Sequence, residues 1–443
     1  MRASGPTPGE IFETLTLRAG YNTSVVLIGA TLLGLAAGVI GVFALLRKRS
    51  LVTDALSHAT LPGIALAFLT AVGLGFEGRS LPVLLIGAAA TGVLGVLCIQ
   101  ALLRFTRLHE DAAIGIVLSV FFGAGVVGLS YIQKNAPGGA AGLNAFIYGQ
   151  TAAMRASDAA LMGGIALVAV LAAILMLKEL ALVCFNDAFA RVDGWPVSLI
   201  DLLMMALVVL VTVAGLQAVG LILVVAMLII PPVAARFWTE RLWVLIVLAG
   251  LIGALSGYLG ATVSALLPRK PAGAVIVLTC GCVFAVSLMA APARGVIAAG
   301  LRRVRLRVRI AGEHLLEAGF ERARRSPNGA TLGKYDIVRI ARLRAWPAWL
   351  RPMLMWWLRR RGFIRAGGGG LELTDAGRER GARVSRNHRL WEQYLIAYAD
   401  VAPSHVDWSV DQVEHVLSED LVRELEAALA RRGIEVPRVG GAS

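Results

Sequence analysis

Long apolar stretches, separated by short polar segments, fill the first two thirds of the chain. A helix that crosses a bilayer needs roughly 20 consecutive apolar residues. The stretches that meet this length are 24–46, 54–75, 81–103, 111–132, 158–177, 197–215, 219–237, 241–267 and 273–292. The sixth and seventh share a very short turn near Gln217 and Gly220, where a broken or re-entrant segment would lower the number of spans. The pattern therefore predicts eight or nine transmembrane helices.

The pattern changes at Arg294, where charged residues become frequent. Residues 294–443 hold 27 Lys and Arg and 17 Asp and Glu, within a chain of net charge +14. Over the whole chain 57% of residues are hydrophobic and only 16% are charged, which excludes a disordered, collagen-like or disulfide-rich protein. We expect a membrane domain over 1–293, a basic linker over 294–312, and soluble domains over 313–384 and 385–443.

Lys and Arg near the ends of the spans predict the orientation, because basic residues concentrate on the cytoplasmic side. They follow the odd-numbered spans, at 47–49, at Arg104 and Arg107, and throughout 294–309. The N-terminus is therefore expected outside the cytoplasmic (inner) membrane and the basic domain in the cytoplasm. Residues 1–21 lack the apolar core of a secretory signal peptide.

Asp54 and His58 stand out because polar residues within a span are costly and usually functional. They are four residues apart, so they share one face of a helix. A carboxylate and a neutral imidazole can ligate Mn²⁺, Fe²⁺ or Zn²⁺. The alternative is a hydrogen bond between the two side chains that fixes helix packing. Pro62 and Gly63 then loosen the helix, which suits a gate or a curved pore wall.

This stretch, with its Asp-Ala-Leu-Ser-His-Ala and Leu-Pro-Gly runs, resembles the zinc/manganese/iron permease family of ABC importers. Other motifs match in order and extend the resemblance over about 22–293: 110–116, 146–149, 216–220, 230–236 and 271–274. The resemblance implies an all-α, cobalamin-importer-like permease that forms a homo- or heterodimer. It further implies a metal path near the dimer axis with Asp54 and His58, two cytoplasmic ATPases, and an extracytoplasmic metal-binding protein.

The loop between spans five and six resembles the short helix by which such permeases contact their ATPase. The residues expected in this coupling role are Asp187, Phe189, Ala190 and Arg191; Asn186 stands where the family usually has Asp. The alternative is an ordinary loop between spans. The chain contains no Gly-rich phosphate loop that ends in Lys-Ser or Lys-Thr, so we expect a transport subunit without enzyme activity, driven by a separate ATPase.

The basic part has the pattern of a winged helix-turn-helix. Helical patterns cover 313–325, 331–345 and 347–361, and two short strands flank a glycine-rich tip over 363–373. Arginines suited to phosphate contacts are Arg351, Arg359, Arg360, Arg361 and Arg365. Nucleic acid phosphates, lipid headgroups and the ATPase are the alternatives for these arginines. The four tryptophans between 346 and 357 are unusual for an element that reads DNA.

Asp411, Glu414 and His415 share a helix face, since they lie at i, i+3 and i+4. Together with His388-Arg389-Leu390-Trp391-Glu392 they resemble metal-dependent repressors of the diphtheria-toxin-repressor type, over about 313–428. The resemblance implies metal-sensing ligands His388, Asp411, Glu414 and His415, with His314, Glu317 and Glu392 as weaker candidates. Within this resemblance, an oxygen ligand at position 411 favours manganese. The alternative is that Asp411, Glu414 and His415 form an exposed polar helix face that binds no metal.

The leading interpretation is a permease subunit that imports a divalent metal, with a cytoplasmic metal-sensing domain and Mn, Fe or Zn as both substrate and regulatory ligand. A second interpretation is a metal-dependent repressor that is tethered to the membrane or released from it by proteolysis. A third is a dimerisation or docking module that binds no metal.

Overall fold

The computed structural model describes residues 7–47, 49–76, 81–135, 154–267, 272–325, 331–367, 370–398 and 419–434. The chain divides into two compact units, Met1–Ala298 and Ala299–Ser443. The first unit is helical in all of its described elements. The second combines helices with a small antiparallel sheet.

The first unit, here called the permease unit, consists of apolar helices joined by short turns. In chain order they are α1 (Pro8–Leu15), α2 (Tyr21–Leu46), α3 (Ser50–Ala59), α4 (Leu61–Gly73), α5 (Leu81–Phe105), α6 (Glu110–Asn135), α7 (Ala156–Leu175), α8 (Leu177–Phe185), α9 (Asp187–Val192), α10 (Val197–Val219), α11 (Leu221–Arg236), α12 (Leu242–Leu266) and α13 (Ala272–Ala290).

Eight candidate spans occur in the described residues, which is the lower of the two numbers that the sequence allowed. They are α2, α3 together with α4, α5, α6, α7, α10, α12 and α13. The predicted seventh span is α11, whose 16 residues extend for only about 24 Å, less than the hydrocarbon core of a bilayer. It is separated from α10 by Gly220, whose φ of 82° is a conformation that glycine adopts readily.

Helix α2 forms the centre of the permease unit. Leu27, Ala30 and Phe43 are almost completely buried, and the helix packs against α7, α10, α11 and α12. At the crossing with α12, a Cβ on Gly34 would lie 2.2 Å from the carbonyl oxygen of Gly253. Small residues allow this direct backbone contact, which is the usual way for membrane helices to gain packing energy.

A cluster of charges lies where α2 ends. The guanidinium of Arg47 donates two hydrogen bonds to the carboxylate of Asp201 on α10, at 2.6 and 3.0 Å, and one to the carbonyl of Val183 on α8 at 3.1 Å. The side chains of Arg47 and Asp201 are only 13% and 10% exposed. Burial opposes the charge on Arg47, but Asp201 outweighs it and raises the pKa of this arginine above its ordinary value. The charge on Arg47 is thereby favoured, and its hydrogen bonds join three helices.

The second unit, here called the C-terminal unit, contains the predicted three helices and wing. Its elements are α14 (Val296–Arg325, which begins in the permease unit), β1 (Thr331–Leu332), α15 (Lys334–Leu343), α16 (Leu350–Arg360), β2 (Ile364–Gly367), β3 (Gly370–Leu373), α17 (Asp375–Tyr398) and α18 (Glu419–Arg431). Most of the expected linker over 294–312 is the first half of α14, since Arg, Leu and Val continue between Pro292 and Pro327 without a proline to end the helix.

The three strands pair in the order β1-β3-β2, and both pairings are antiparallel. Ile364 lies opposite Leu373, and both side chains are buried. They join Leu315, Leu316 and Leu354 in the core of the winged-helix part. The strand β1 is two residues long, too short to produce an alternating pattern, and the sequence did not predict it.

A smaller core joins α17 to α18. Leu390, Leu425 and Leu429 are buried together, and the hydroxyl of Tyr398 donates a 2.8 Å hydrogen bond to the carbonyl of Ala428. This cluster is separate from the winged-helix core, so the described part of the C-terminal unit has two hydrophobic centres.

The Arg47–Asp201 pair predicts a large loss of stability on truncation. Asp201→Ala leaves a nearly buried guanidinium without its main partner, and such losses cost about 3 kcal/mol or more. We expect a clearly lower apparent melting temperature of the purified protein in detergent. Glu240→Ala is the matched control, because the Arg294–Glu240 pair is exposed on both sides and such pairs contribute about 0–1 kcal/mol. Equal melting temperatures for the two variants would contradict the prediction.

Candidate functional site

The first candidate site lies on α3. Most of the apolar side chains of α3 are buried in the bundle and hold the helix in place: Val52, Ala55, Leu56 and Ala59. The remaining stripe carries Leu51, Asp54 and His58, at i, i+3 and i+7, and all three are at least partly exposed. Asp54 and His58 therefore occupy the one open face of a helix that is otherwise packed.

The two side chains face each other without forming a hydrogen bond. His58 Nε2 lies 3.6 Å from Asp54 Oδ1, which is longer than a protein hydrogen bond. The buried Nδ1 of His58 has no hydrogen-bond partner among the described residues, and the ring stands edge-on to Phe122 of α6 at 4.9 Å. An oxygen and an imidazole nitrogen at this separation are suited to share a divalent cation.

Two side chains make an incomplete metal site. Within the described part of the chain, no group of three or more His, Cys, Asp or Glu is arranged to hold a metal ion. Asp54 is also 40% exposed. The pair is thus open to a passing ion or to ligands from another chain, and not a closed structural centre.

The helix ends one residue after His58 for a local reason. Pro62 has no backbone N–H to donate to the carbonyl of His58, four residues earlier, so the helical hydrogen-bond ladder is interrupted here. Thr60 forms the junction, and its hydroxyl donates a 2.6 Å hydrogen bond to the carbonyl of Ser57. The chain then restarts as α4 with Pro62 in its first turn. The predicted loosening is therefore a break between two helices.

The predicted coupling segment forms the short helix α9. Asn186 caps it, because its side-chain oxygen accepts a 2.9 Å hydrogen bond from the N–H of Phe189. Asp would cap equally well, so the departure of Asn186 from the family pattern leaves the local structure unchanged. Ala190 is completely buried, while Asp187 pairs with Arg191 at 3.3 Å and lies 3.9 Å from Arg47.

Large apolar side chains are exposed at this segment, beside the Asp187–Arg191 pair. Phe185, Phe189 and Val192 are 68%, 56% and 89% exposed. Phe185 and Val192 were not among the predicted contact residues, although large apolar side chains in a loop between spans are a signal for a docking surface. Buried Ala190 anchors α9 to the bundle, while Phe189 and Val192 on α9 and Phe185 at the end of α8 are exposed.

Sequence reasoning also missed the roles of Arg47 and Arg49, which it used only for orientation. Arg49 lies 3.5 Å from Asp201 and 3.1 Å from Glu110, at the start of α6. The signal was Asp201, a lone carboxylate near the start of an apolar span, which needs a partner. Since α3 begins at Ser50, this charge cluster connects the start of the Asp54 helix to the coupling segment.

The second candidate site is in the C-terminal unit and is centred on Glu317. Its two carboxylate oxygens lie 3.9 Å from Nδ1 of His314 and 3.9 Å from Nδ1 of His388. Three of the predicted sensor residues therefore come together from α14 and α17. Glu392 is partly buried one turn after His388 on α17. Asp411, Glu414 and His415 lie outside the described residues.

Next to this group, sequence reasoning missed a buried carboxylate. Glu313 is 2% exposed and pairs with Arg309 at 3.2 Å and with Arg380 of α17. It holds α14 against α17, the same two helices that carry His314, Glu317 and His388. The geometry of the candidate sensor residues thus depends on a neighbouring ion pair.

Known proteins match both units. Residues 21–291 match the ABC 3 transport family, and residues 374–432 match the metal binding and dimerisation domain of iron dependent repressors. The manganese transport system membrane protein MntC of Bacillus subtilis is 40% identical over 394 residues, which cover 88% of each chain. The zinc transport system membrane protein TroC of Treponema pallidum is 42% identical and covers 66% of this chain and 96% of its own.

A solved structure extends the match to the fold. A chain in the structure of PsaBC from Streptococcus pneumoniae in complex with Fab is 31% identical, with a TM-score of 0.56, over 65% of this chain and 98% of that one. These findings confirm both resemblances inferred from the sequence motifs. The chain is therefore a member of the ABC 3 transport family that carries a metal-binding and dimerisation domain of the iron-dependent-repressor type at its C-terminal end.

Proposed function

We propose that this chain is the permease subunit of an ATP-binding-cassette importer for a divalent transition metal, with manganese favoured over zinc and iron, and that its C-terminal unit senses the same metal. The observation that carries the proposal is the Asp54–His58 pair on the open face of a broken helix. The description of the Bacillus subtilis relative as a manganese transport protein supports the choice of metal, because the match to it extends over most of both chains.

In the proposed mechanism Asp54 and His58 hold the ion briefly during its passage. A carboxylate oxygen and an imidazole nitrogen bind Mn²⁺, and two ligands from one chain allow release. A second permease subunit, in a homo- or heterodimer, supplies the opposite wall of the path. An extracytoplasmic metal-binding protein delivers the ion from outside. The N-terminus is then outside and the C-terminal unit is cytoplasmic, as the basic residues predict.

The energy for transport comes from a separate ATPase that docks on α9. The exposed Phe185, Phe189 and Val192 offer it an apolar surface, while buried Ala190 and the Asp187–Arg47 contact tie α9 to the bundle. A movement of α9 would then reach Arg47, Asp201 and Arg49, and through Arg49 the start of α3. This is a physical route from ATP hydrolysis to the metal ligands.

The proposed sensor uses His388, Asp411, Glu414 and His415, with His314, Glu317 and Glu392 as additional candidates. Two observations support this proposal: the repressor-type domain match covers 374–432, and the carboxylate of Glu317 lies 3.9 Å from each of two imidazoles. The described residues do not by themselves form a metal-holding group of three, so the proposed site needs Asp411, Glu414 and His415 as well. When bound, the metal would cross-link α14 and α17. Mixed carboxylate and imidazole ligands, without thiolate, favour Mn²⁺ or Fe²⁺.

Removal of the transport ligands tests the central proposal. Asp54→Ala and His58→Ala each remove a ligand from a two-ligand site, so we expect Mn²⁺ uptake into proteoliposomes with the ATPase to fall by at least about tenfold. Glu13→Ala on α1 is the control, because it removes an exposed carboxylate from a helix other than α3 and α9. Full uptake by both site variants, with intact assembly, would refute the metal path.

Truncation of the coupling face tests the ATPase contact. We expect Phe189→Ala to weaken ATPase binding and metal-stimulated ATP hydrolysis by about tenfold, the loss typical of a central aromatic contact. The melting temperature should not change, since the side chain is more than half exposed. Phe12→Ala on α1 is a matched control, because this phenylalanine is 63% exposed at the end of the chain expected outside. Normal coupling in Phe189→Ala would exclude α9 as the main contact.

A third prediction separates transport from sensing. In the full chain, Glu414→Gln/His415→Ala should leave the initial rate of Mn²⁺ uptake unchanged and abolish its response to Mn²⁺ preloaded on the cytoplasmic side. Glu424→Gln on α18 is the control for an unrelated carboxylate. An unchanged response would leave the C-terminal unit without a sensor role, and metal-dependent binding of one DNA sequence by the same chain would favour the membrane-tethered repressor.

A further inference from the structure

The helix α16 exposes an apolar stripe. Trp349, Met353 and Trp356 are 47%, 40% and 56% exposed and lie at i, i+4 and i+7, on one face of the helix and its N-terminal cap. The opposite stripe, Leu350, Leu354 and Leu358, is almost completely buried in the winged-helix core. The helix is therefore apolar on both sides, although only one side has a partner within the described structure.

The exposed stripe lies on the helix that enters the DNA groove in helix-turn-helix proteins. Readout of bases requires side chains that donate and accept hydrogen bonds in fixed patterns, chiefly Arg, Lys, Asn and Gln. Trp offers one donor and Met a weak acceptor, so Trp349, Met353 and Trp356 cannot provide such a pattern. These three side chains therefore lie where a helix-turn-helix protein contacts DNA bases, but their chemistry suits a contact with something other than bases.

Cationic groups border the stripe. The guanidinium of Arg360 lies 5.0 Å from the ring centre of Trp356, and Arg359 and Arg361 are exposed beside it. The preceding helix α15 adds Arg339 and Arg342, which line a surface depression together with Tyr335 and Leu343. Tyr335 and Leu343 are 90% and 77% exposed. Two consecutive helices thus present aromatic and aliphatic side chains among arginines.

This combination is the chemistry of a membrane interface. Trp is enriched at the headgroup level because its ring is apolar and its N–H is polar. Helices that rest on a bilayer combine Trp and aliphatic residues with Lys or Arg, which attract anionic lipids. Moreover, only five residues separate α13, a candidate span, from α14, so the C-terminal unit is tethered to a bilayer surface by its own chain.

We propose that Trp349, Met353 and Trp356, here called the α16 face, dock on the anionic surface of the membrane that contains the permease unit. Residues 294–443 carry 27 basic and 17 acidic residues, which complements a negatively charged leaflet. The docking would hold the C-terminal unit at the membrane and keep the α16 face away from nucleic acid. It goes beyond the proposed transport and sensing functions and depends on neither the identity of the metal nor its binding.

A spin label on the full chain tests this proposal. The chain's four cysteines, Cys98, Cys184, Cys280 and Cys282, are replaced by Ala, and a nitroxide is attached to Met353→Cys. The control label is attached to Glu379→Cys on α17, where the native side chain is 70% exposed. Both proteins are reconstituted in lipid nanodiscs of phosphatidylcholine, or of an equal mixture of phosphatidylcholine and phosphatidylglycerol. Collision of the label with a water-soluble nickel chelate and with oxygen is measured by power saturation.

In the anionic bilayer we expect the nickel collision rate at position 353 to fall by about fivefold, with oxygen access maintained, and the rate at 379 to stay unchanged. Trp356→Glu, added to the Met353→Cys chain, should restore nickel access. An unaltered signal at 379 in a parallel Trp356→Glu/Glu379→Cys chain shows that the unit is still folded. High nickel access at 353 in both bilayers would overturn the proposal, as would protection that arises only after duplex DNA or the ATPase is added.

Discussion

A charged side chain buried in an apolar bundle is stable only when it pairs with an opposite charge. In the permease unit this requirement is met by the Arg47–Asp201 ion pair. The pair is bidentate and almost buried, so separating it would leave two desolvated charges. Its geometry fixes the end of α2 against α8 and α10, while Arg49 extends it to α6. The helix α3 begins directly after Arg49. Asp54 and His58 therefore lie on a helix whose start is held by Arg49, five and nine residues before them.

The two polar pairs of the permease unit differ in how well their members are hydrogen-bonded to each other. Arg47 and Asp201 are joined by two hydrogen bonds, whereas Asp54 and His58 face each other at 3.6 Å without a hydrogen bond. Polar groups that satisfy each other hold helices together, and polar groups left open are available to a ligand. Pro62 adds to the difference, because it interrupts the helical hydrogen bonds beside His58, where α3 ends and α4 begins. Paired charges thus hold the start of α3, and a helix break lies beside the Asp54–His58 pair.

The sequence predicted features that depend on local spacing and missed those that depend on distant contacts. The apolar stretches predicted the transmembrane spans, and the i, i+4 spacing predicted that Asp54 and His58 share one helix face. The turn at Gly220 signalled that α11 could be a separate, shorter helix. By contrast, Glu110 is 61 residues from Arg49, Phe122 is 64 from His58, and Arg380 is 67 from Glu313. Only tertiary packing brings such residues together. The strand β1 was missed because two residues have no period.

The C-terminal unit could act on transport only if metal binding changes a part of the chain that the permease unit also constrains. The helix α14 meets this requirement. Five residues separate it from α13, and it continues for 30 residues and carries His314 and Glu317 in its second half. A metal held between Glu317 and His388 would fix α14 to α17 and so restrict the segment that leaves the membrane. Because coupling between binding sites is reciprocal, the state of the permease would equally alter the metal affinity of the sensor, so the unit would respond to transport as well as to supply.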